Sequence, residues 1–483
     1  MIKIQSTKSN FAYNILLTIS NFLFPLISFP YISRIIGPQG IGKVQFLTTF
    51  AQYFVLIAAL GIPIYGVREV AKLSGDRNAF SKLFSELFII NVISSLVMLA
   101  CYLAIVLTFS RFSNELDFYL IAGLLVLFGF TSIDWFYSGL QEFRFITIRS
   151  VIIKIIALVG LFLFVKTESN VRTYLYITIF SIIGNNIWNL FHLHNTVDFH
   201  MRELRLKRHL SILITLFSTS ISTSIYTVMD TLLLGFFTDD KTVGYYTASI
   251  KLNKIAIPLI VSLGVVLMPQ ISKSIAAGTK TLTQNLIDKS FAFICIIGIP
   301  ISIGLCVTAP EIMRIFSGKE FIPATFTMQI ASPLVFFIGL GHVFGLQILV
   351  PSNHEKYYLF ATICGMIVSL VVNVILIHII QDKGAAVATV LGEFVVSAVS
   401  YHYITTKLSY KFEWSLVLKS IASCIIFIPI AVVNRMCFGN DFIVLVISAM
   451  LSFCSYFMIQ LFVFRDKMSL EIIKIFSAKI GLK

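Results

Sequence analysis

Lys251 and Lys254 stand three residues apart in a stretch that is otherwise uncharged, so on a helix they share one face. An ammonium is a compact point charge with three donors, suited to the clustered oxygens of a phosphate or diphosphate. The alternative is that both lysines snorkel to nearby head groups. Arg34, beside Gly37, Pro38 and Gly40, offers the same choice between anion contact and interfacial anchor. Arg68 and Glu69 are adjacent at the end of an apolar run, as a helix-end ion pair or a pair that closes a gate. Asp134 and Asp230 lie near the ends of two further runs, and Asp230 is a candidate partner for either lysine. Glu393 lies mid-run and is the acid least able to reach water, which makes it a candidate carrier of a coupling H+ or Na+. His378 reads as an interhelical hydrogen-bond donor, and Arg144 and Arg149 as topology-setting charges.

What positions these groups is set by composition. Of 483 residues, 57% are hydrophobic and 12% charged, about half the charge of an average soluble chain. That excludes a soluble enzyme, a disulfide scaffold and a disordered chain. A helix needs about 20 apolar residues to cross about 30 Å of hydrocarbon, where an unpaired amide finds no water. Fourteen stretches qualify: roughly 11–33, 46–66, 83–107, 118–140, 148–165, 173–191, 211–235, 245–268, 291–309, 326–349, 357–380, 384–405, 416–437 and 441–464. Lys251 and Lys254 fall in the first two turns of the eighth. The fold predicted is an all-α polytopic membrane protein. With both termini on one side, 24 of the 37 Lys and Arg share that side, 10 lie opposite, and Lys154, Lys251 and Lys254 lie inside spans. This bias makes the termini cytoplasmic. Much of the net charge of +14 is therefore topology rather than a nucleic-acid footprint.

Other features carry less. The seven cysteines lie in or beside apolar runs without C-x-x-C spacing, and His192, His194, His200 and His209 match no zinc pattern. No P-loop appears. Neither a metal nor another cofactor is expected. The first run reads as a retained span rather than a cleaved signal. Pro25 and Pro30 make it the best candidate for a bending gate, with Pro63 and Pro258 as secondary hinges. Ser218, Thr219, Ser220, Ser222, Thr223 and Ser224 make the seventh span hydroxyl-rich, as a wet wall or a close-packing surface. The segment 465–483 reads as an amphipathic helix in the inner head-group plane, or as a frayed basic tail.

The chain also rhymes with itself. At an offset of roughly 200 residues, Ile41-Gly42 falls on Val243-Gly244, REVAK (68–72) on QISKS (270–274), and Gly139-Leu140-Gln141 on Gly345-Leu346-Gln347. The order implies two six-helix bundles related by an axis along the membrane normal: an N-terminal lobe 1–210 and a second lobe 211–410. Two added helices (411–464) and the tail follow. Repeats of this kind place a substrate path between rocking halves.

SRIIGPQGIGKVQF (33–46), GIPIYGVREVAK (61–72) and DWFYSGLQEF (134–143) resemble first-half signatures of Wzx-type flippases. These form the polysaccharide-transporter branch of the MATE-like (MOP) superfamily. MDTLLLGFFTDDKTVGYYTASIKL (229–252), VLMPQIS (266–272) and NVILIHIIQDKGAAVATVLGE (373–393) resemble the second half. The resemblance implies transfer of an undecaprenyl-diphosphate-linked oligosaccharide across the bacterial inner membrane, with membrane lipids and the polysaccharide polymerase machinery as further partners. It also places Lys251 where related flippases carry a basic residue and Glu393 where the family habitually has Glu. The rivals are a cation-coupled drug or metabolite antiporter of the same superfamily and a peptidoglycan-precursor flippase. A membrane glycosyltransferase or polymerase would want a large extramembrane loop, and the longest connections hold about twenty residues.

Overall fold

The computed structural model describes residues 7–464 apart from 74, 195 and 200–203; of residues 7–9, 11, 215 and 218–227 only the backbone is described. Every regular element among them is helical. Ten helical stretches among the described residues are long and apolar enough to cross a membrane. The chain is a multi-pass membrane protein, as its composition requires.

It divides into two compact units, Met1–Leu232 and Leu233–Lys483. The first contains α1 (Thr7–Ala58), α2 (Ile62–Leu73), α3 (Arg77–Thr108), α4 (Leu116–Leu127), α5 (Asp134–Gly139), α6 (Phe143–Phe164), α7 (Val171–Leu193) and most of α8 (Lys207–Phe237). The second contains α9 (Asp240–Lys254), α10 (Ile257–Ala276), α11 (Lys280–Phe293), α12 (Ile299–Val307), α13 (Ala309–Ile312), α14 (Thr325–Ala331), α15 (Leu334–Gly341), α16 (Glu355–Tyr403), α17 (Ser415–Cys424), α18 (Phe427–Cys437) and α19 (Asp441–Met458).

Two helices are too long for one crossing. The 52 residues of α1 would extend about 78 Å and the 49 of α16 about 74 Å, against about 30 Å of hydrocarbon. Each breaks part-way. In α1 the break is Gly37 (φ 64°), just before Pro38; in α16 it is Ile380–Gln381, with Gln381 at φ 52°. Proline at 38 cannot continue the hydrogen-bond ladder, and glycine at 37 takes the left-handed turn without a Cβ clash.

The breaks repeat between units. Gly37 precedes the second limb of α1 as Asp239 precedes α9. Leu60–Gly61 precedes α2, with Pro63 in its first turn, as Ile255–Ala256 precedes α10, with Pro258 in its first turn. Asp76 opens α3 as Thr279 opens α11. Gln141 (φ 60°) lies before α6 as Asn353 (φ 59°) lies before α16. Three of these positions are breaks in both units, while at Ile255–Ala256 the backbone stays right-handed; their shared order is what a duplicated bundle predicts.

Within the first unit, α1 and α6 run parallel. Thr147 Oγ1 donates to Tyr13 O, Lys154 Nζ to Ser20 Oγ, and Tyr31 Oη to Val165 O, all at a separation of 134 residues. In the second unit Ser249 Oγ donates to Ala324 O and Asn253 Nδ2 to Met328 O, both at a separation of 75, so α9 and α14 are parallel too. A constant offset arises only when two helices rise in the same direction.

Glycines set the closest approaches. A Cβ on Gly66 would fall 2.1 Å from the Trp135 indole, and one on Gly139 would fall 2.8 Å from Val70 Cβ. The motifs GIPIYGVREVAK and DWFYSGLQEF therefore interlock, α2 against α5. Within the second unit α18 is tied to α13 by a buried carboxylate: Arg435 donates to Glu311 at 2.7 and 2.8 Å and to Val307 O at 2.6 Å.

The observed departures from helical backbone do not coincide with the expected hinge prolines. The helical backbone continues through Pro25 and Pro30, and the departure in α1 is at Gly37. Pro63 lies in the first turn of α2, just after the Leu60–Gly61 break, and Pro258 in the first turn of α10, after Ile255 and Ala256, whose backbone stays right-handed. There a missing N–H costs nothing, because the first turn has unsatisfied donors anyway.

Candidate functional site

The lysine pair belongs to α9, and α9 is a positioned helix. Asp239 caps it, its carboxylate accepting from Thr242 N at 2.9 Å. That bond, with the Thr242 hydroxyl as the largest cause, holds the Asp239 carboxyl below its ordinary value. Ser249 and Asn253 fasten α9 to α14, and Tyr246 Oη lies 2.9 Å from Thr389 Oγ1 on α16. Those contacts bury residues 246–250, 252 and 253, and leave Lys251 exposed and Lys254 half-exposed. Among the described residues Lys254 has no carboxylate partner.

The position of these lysines differs from the expectation. The helix starts at Asp240 rather than near 245 and stops at Lys254, just before Pro258. Lys251 and Lys254 therefore occupy its last turn, not its first two. Lys251 is eleven residues from the helix start, about 17 Å along the axis, or half the hydrocarbon thickness. Snorkelling back along the helix is correspondingly difficult. The negative end of the α9 dipole favours a cation there, but by less than a full counter-charge.

The remaining candidates are dispersed. Arg34 is exposed on α1, one turn before the Gly37 break. Arg68 Nε and Lys72 Nζ both lie 2.9 Å from Glu69 Oε1, so this cluster is local to α2. Burial raises the Glu69 carboxyl, but the bonds from Lys72 and Arg68 outweigh it and hold it below the usual range. Asp230 is buried on α8, within electrostatic range of Tyr53. Glu393 is half-buried on the second limb of α16, facing Gly341 of α15 and near Tyr358. His378 Nδ1 donates to Val374 O of its own helix at 2.7 Å, and the ring packs on Phe237. The side chains of Ser218, Thr219, Ser220, Ser222, Thr223 and Ser224, the segment 465–483 and His200 lie outside the described residues. Among the described residues no cluster of His, Cys, Asp and Glu could hold a metal ion.

Asp134 opens α5 and takes an ion pair from Arg149 of α6 at 2.9 Å and a hydrogen bond from Asn189 of α7 at 2.8 Å. Arg149 is only 2% exposed, so it is more than the topology charge the sequence suggested. Its Nε and Nη1 are buried without a partner among the described residues, a place where ordered water would be expected.

Sequence reasoning missed Glu86. Its carboxylate, fully buried on α3, accepts from Arg208 Nη2 at 2.6 Å and from the Arg205 backbone at 2.8 Å; His209 Nε2 is 2.8 Å away. His209 Nδ1 lies 2.9 Å from the Tyr65 hydroxyl, which brings α2 into the same network. The signal was present: Glu86 is the one acid in the predicted span 83–107.

Comparison with known proteins fits this architecture. Residues 7–275, more than half of the chain, match the family described as "Polysaccharide biosynthesis protein". The chain belongs to that family. A relative in Escherichia coli (strain K12), named "Putative O-antigen transporter", is 22% identical over 412 residues, covering 83% of this chain and 97% of that one. A Haloferax volcanii protein, "Probable low-salt glycan biosynthesis flippase Agl15", is 27% identical over 197 residues, 41% of this chain and 42% of its own. In structure, "Lipid II flippase MurJ, inward closed conformation" superposes with a TM-score of 0.71 at 14% identity, covering 94% of this chain and 99% of that chain. The chain thus shares the fold of that solved structure, and the family resemblance read from the motifs holds.

Proposed function

We propose that this protein is a flippase, not an enzyme, which carries an undecaprenyl-diphosphate-linked oligosaccharide of O-antigen, capsule or exopolysaccharide type from the inner to the outer leaflet. The membrane is the bacterial inner membrane, the chain crosses it fourteen times, and both termini are cytoplasmic. The observation that carries the reading is the lysine pair: two cations in the last turn of a helix whose other faces are buried to hold it still. A neutral drug or a sugar without phosphate gives no reason to keep such charges there, whereas a diphosphate does. The family match and the relatives named for O-antigen transport and glycan flipping support the same substrate class over a drug antiporter. In this mechanism Lys251 and Lys254 hold the diphosphate, the polyprenyl tail stays in lipid, and the path opens to each side in turn.

The test is complementation of a strain lacking its repeat-unit flippase. Lys251→Ala is expected to reduce surface polysaccharide at least tenfold while the protein still inserts, the scale of one lost charged hydrogen bond. Wild-type polysaccharide levels from that variant would refute the assignment of Lys251.

A further inference from the structure

Lys154 lies near the middle of α6, with about 15 Å of helix on either side, more than a lysine side chain can snorkel across. Its Nζ donates to Ser20 Oγ at 3.1 Å and to Asn21 Oδ1, and stands 5.9 Å from the centre of the Phe24 ring. All three partners are on α1 and all are neutral. Among the described residues no carboxylate pairs with Lys154. A lysine at the centre of a transmembrane helix costs about 2.5–3.5 kcal/mol when inserted. Hydroxyl, amide and ring orient the ammonium without neutralising it.

The face of α1 that meets Lys154 is polar. Asn14, Thr18 and Asn21 recur at helical spacing, and all three are exposed. Hydrocarbon cannot solvate a carboxamide, so an exposed stripe of this kind inside a crossing segment marks a hydrated wall. Asn21 accepts from Lys154 through Oδ1, which leaves its amide nitrogen available as a donor. The ammonium has three donors and uses two on α1.

We infer that Lys154, Ser20 and Asn21 form an anion-binding subsite at the bilayer midplane, which takes a phosphate of a polyprenyl diphosphate, with Asn14, Thr18 and Asn21 as the hydrated track beside it. This rests on the flippase reading above and names a second subsite for the same substrate, on the first unit. Phosphate oxygens supply the missing negative charge and accept from the third ammonium hydrogen and the Asn21 amide. Lysine at this position, rather than a fixed guanidinium fork, allows release as well as capture.

The experiment uses the full chain in lipid nanodiscs and measures binding of undecaprenyl diphosphate, with uncharged undecaprenol as the reference. Lys154→Gln is expected to weaken diphosphate binding about tenfold or more, the scale of a lost charge-assisted bond, and to leave undecaprenol binding unchanged. Lys154→Arg should stay within about threefold of wild type, since the charge remains. Asn21→Leu, which keeps the lysine and removes its cradle, is expected to fall between them and serves if Lys154→Gln does not insert. Diphosphate binding at the wild-type level by Lys154→Gln, or by Asn21→Leu in its place, overturns the subsite while leaving the flippase reading intact. A wild-type protein that binds undecaprenyl diphosphate no better than undecaprenol overturns both.

Discussion

Glu86 shows how a single buried charge can organise one end of a helical unit. Three groups from one connecting segment converge on it, so its removal strands Arg208 and His209 rather than merely deleting a contact. Because Arg208 is half-exposed and can turn to water, the loss is smaller than for a fully buried pair. Glu86→Gln is expected to destabilise the detergent-solubilised protein by about 1–3 kcal/mol. Arg208→Gln alone should cost less, and the double variant less than the sum, as coupled groups require. Thermal unfolding of the three variants checks this; strict additivity would mean that the two side chains act independently. The same rule that singled out Glu393 and Asp230, the expense of ionisable groups in apolar spans, applied to Glu86 and Lys154 as well. What the sequence could not show was which of them finds a partner. Glu86 does, from a segment about 120 residues away; Lys154 meets only neutral groups.

Helix α9 is the element on which the proposed lysine pair depends, and its start is fixed by one cap. Asp239→Ala is expected to cost about 1 kcal/mol of stability and to weaken export through displacement of Lys251, whereas Asp239→Asn keeps the acceptor and stays close to wild type. The cap holds the Asp239 carboxyl below its ordinary value. A carboxyl lowered on folding contributes stability in full above its unfolded pKa of about 3.9, and loses it as pH falls through the lower folded value. The difference in melting temperature between wild type and Asp239→Ala should therefore be constant from pH 8 to pH 5. A difference that vanishes by pH 5 would mean that the carboxylate is not the capping group. Helix existence was legible in apolar runs, because each run must satisfy its own backbone in lipid. Breaks were not: Pro25 and Pro30 were the conspicuous signals, yet the turn is at Gly37, where a positive φ and the following proline act together. The Ile-Pro pairs at 62–63 and 257–258, equivalent starts in the two units, were written in the sequence and went unread for want of a break to attach them to.

On the scale of the whole molecule, the all-helical multi-pass fold was the legible part, since it is a sum over many residues and tolerates local error. Direction of transport is a further property of the whole, and elementary electrostatics predicts it. A diphosphate brings about two negative charges, and each is worth about 2.3 kcal/mol per 100 mV, so a cell-negative interior favours outward movement by roughly 4–5 kcal/mol. Lysines that stay in place across the cycle do not cancel this, because only the charge that moves counts. In proteoliposomes carrying a fluorescent undecaprenyl-diphosphate sugar, a potassium diffusion potential of about 100 mV should drive the probe to the positive side, and reversing the potential should reverse the side. The limiting equilibrium ratio is about a thousandfold. Accumulation indifferent to the sign of the potential would mean that two positive charges travel with the substrate. Glu393, half-buried beside Tyr358 and Gly341, would then be the first carboxylate to replace, with Glu393→Gln expected to restore the dependence on potential by one charge.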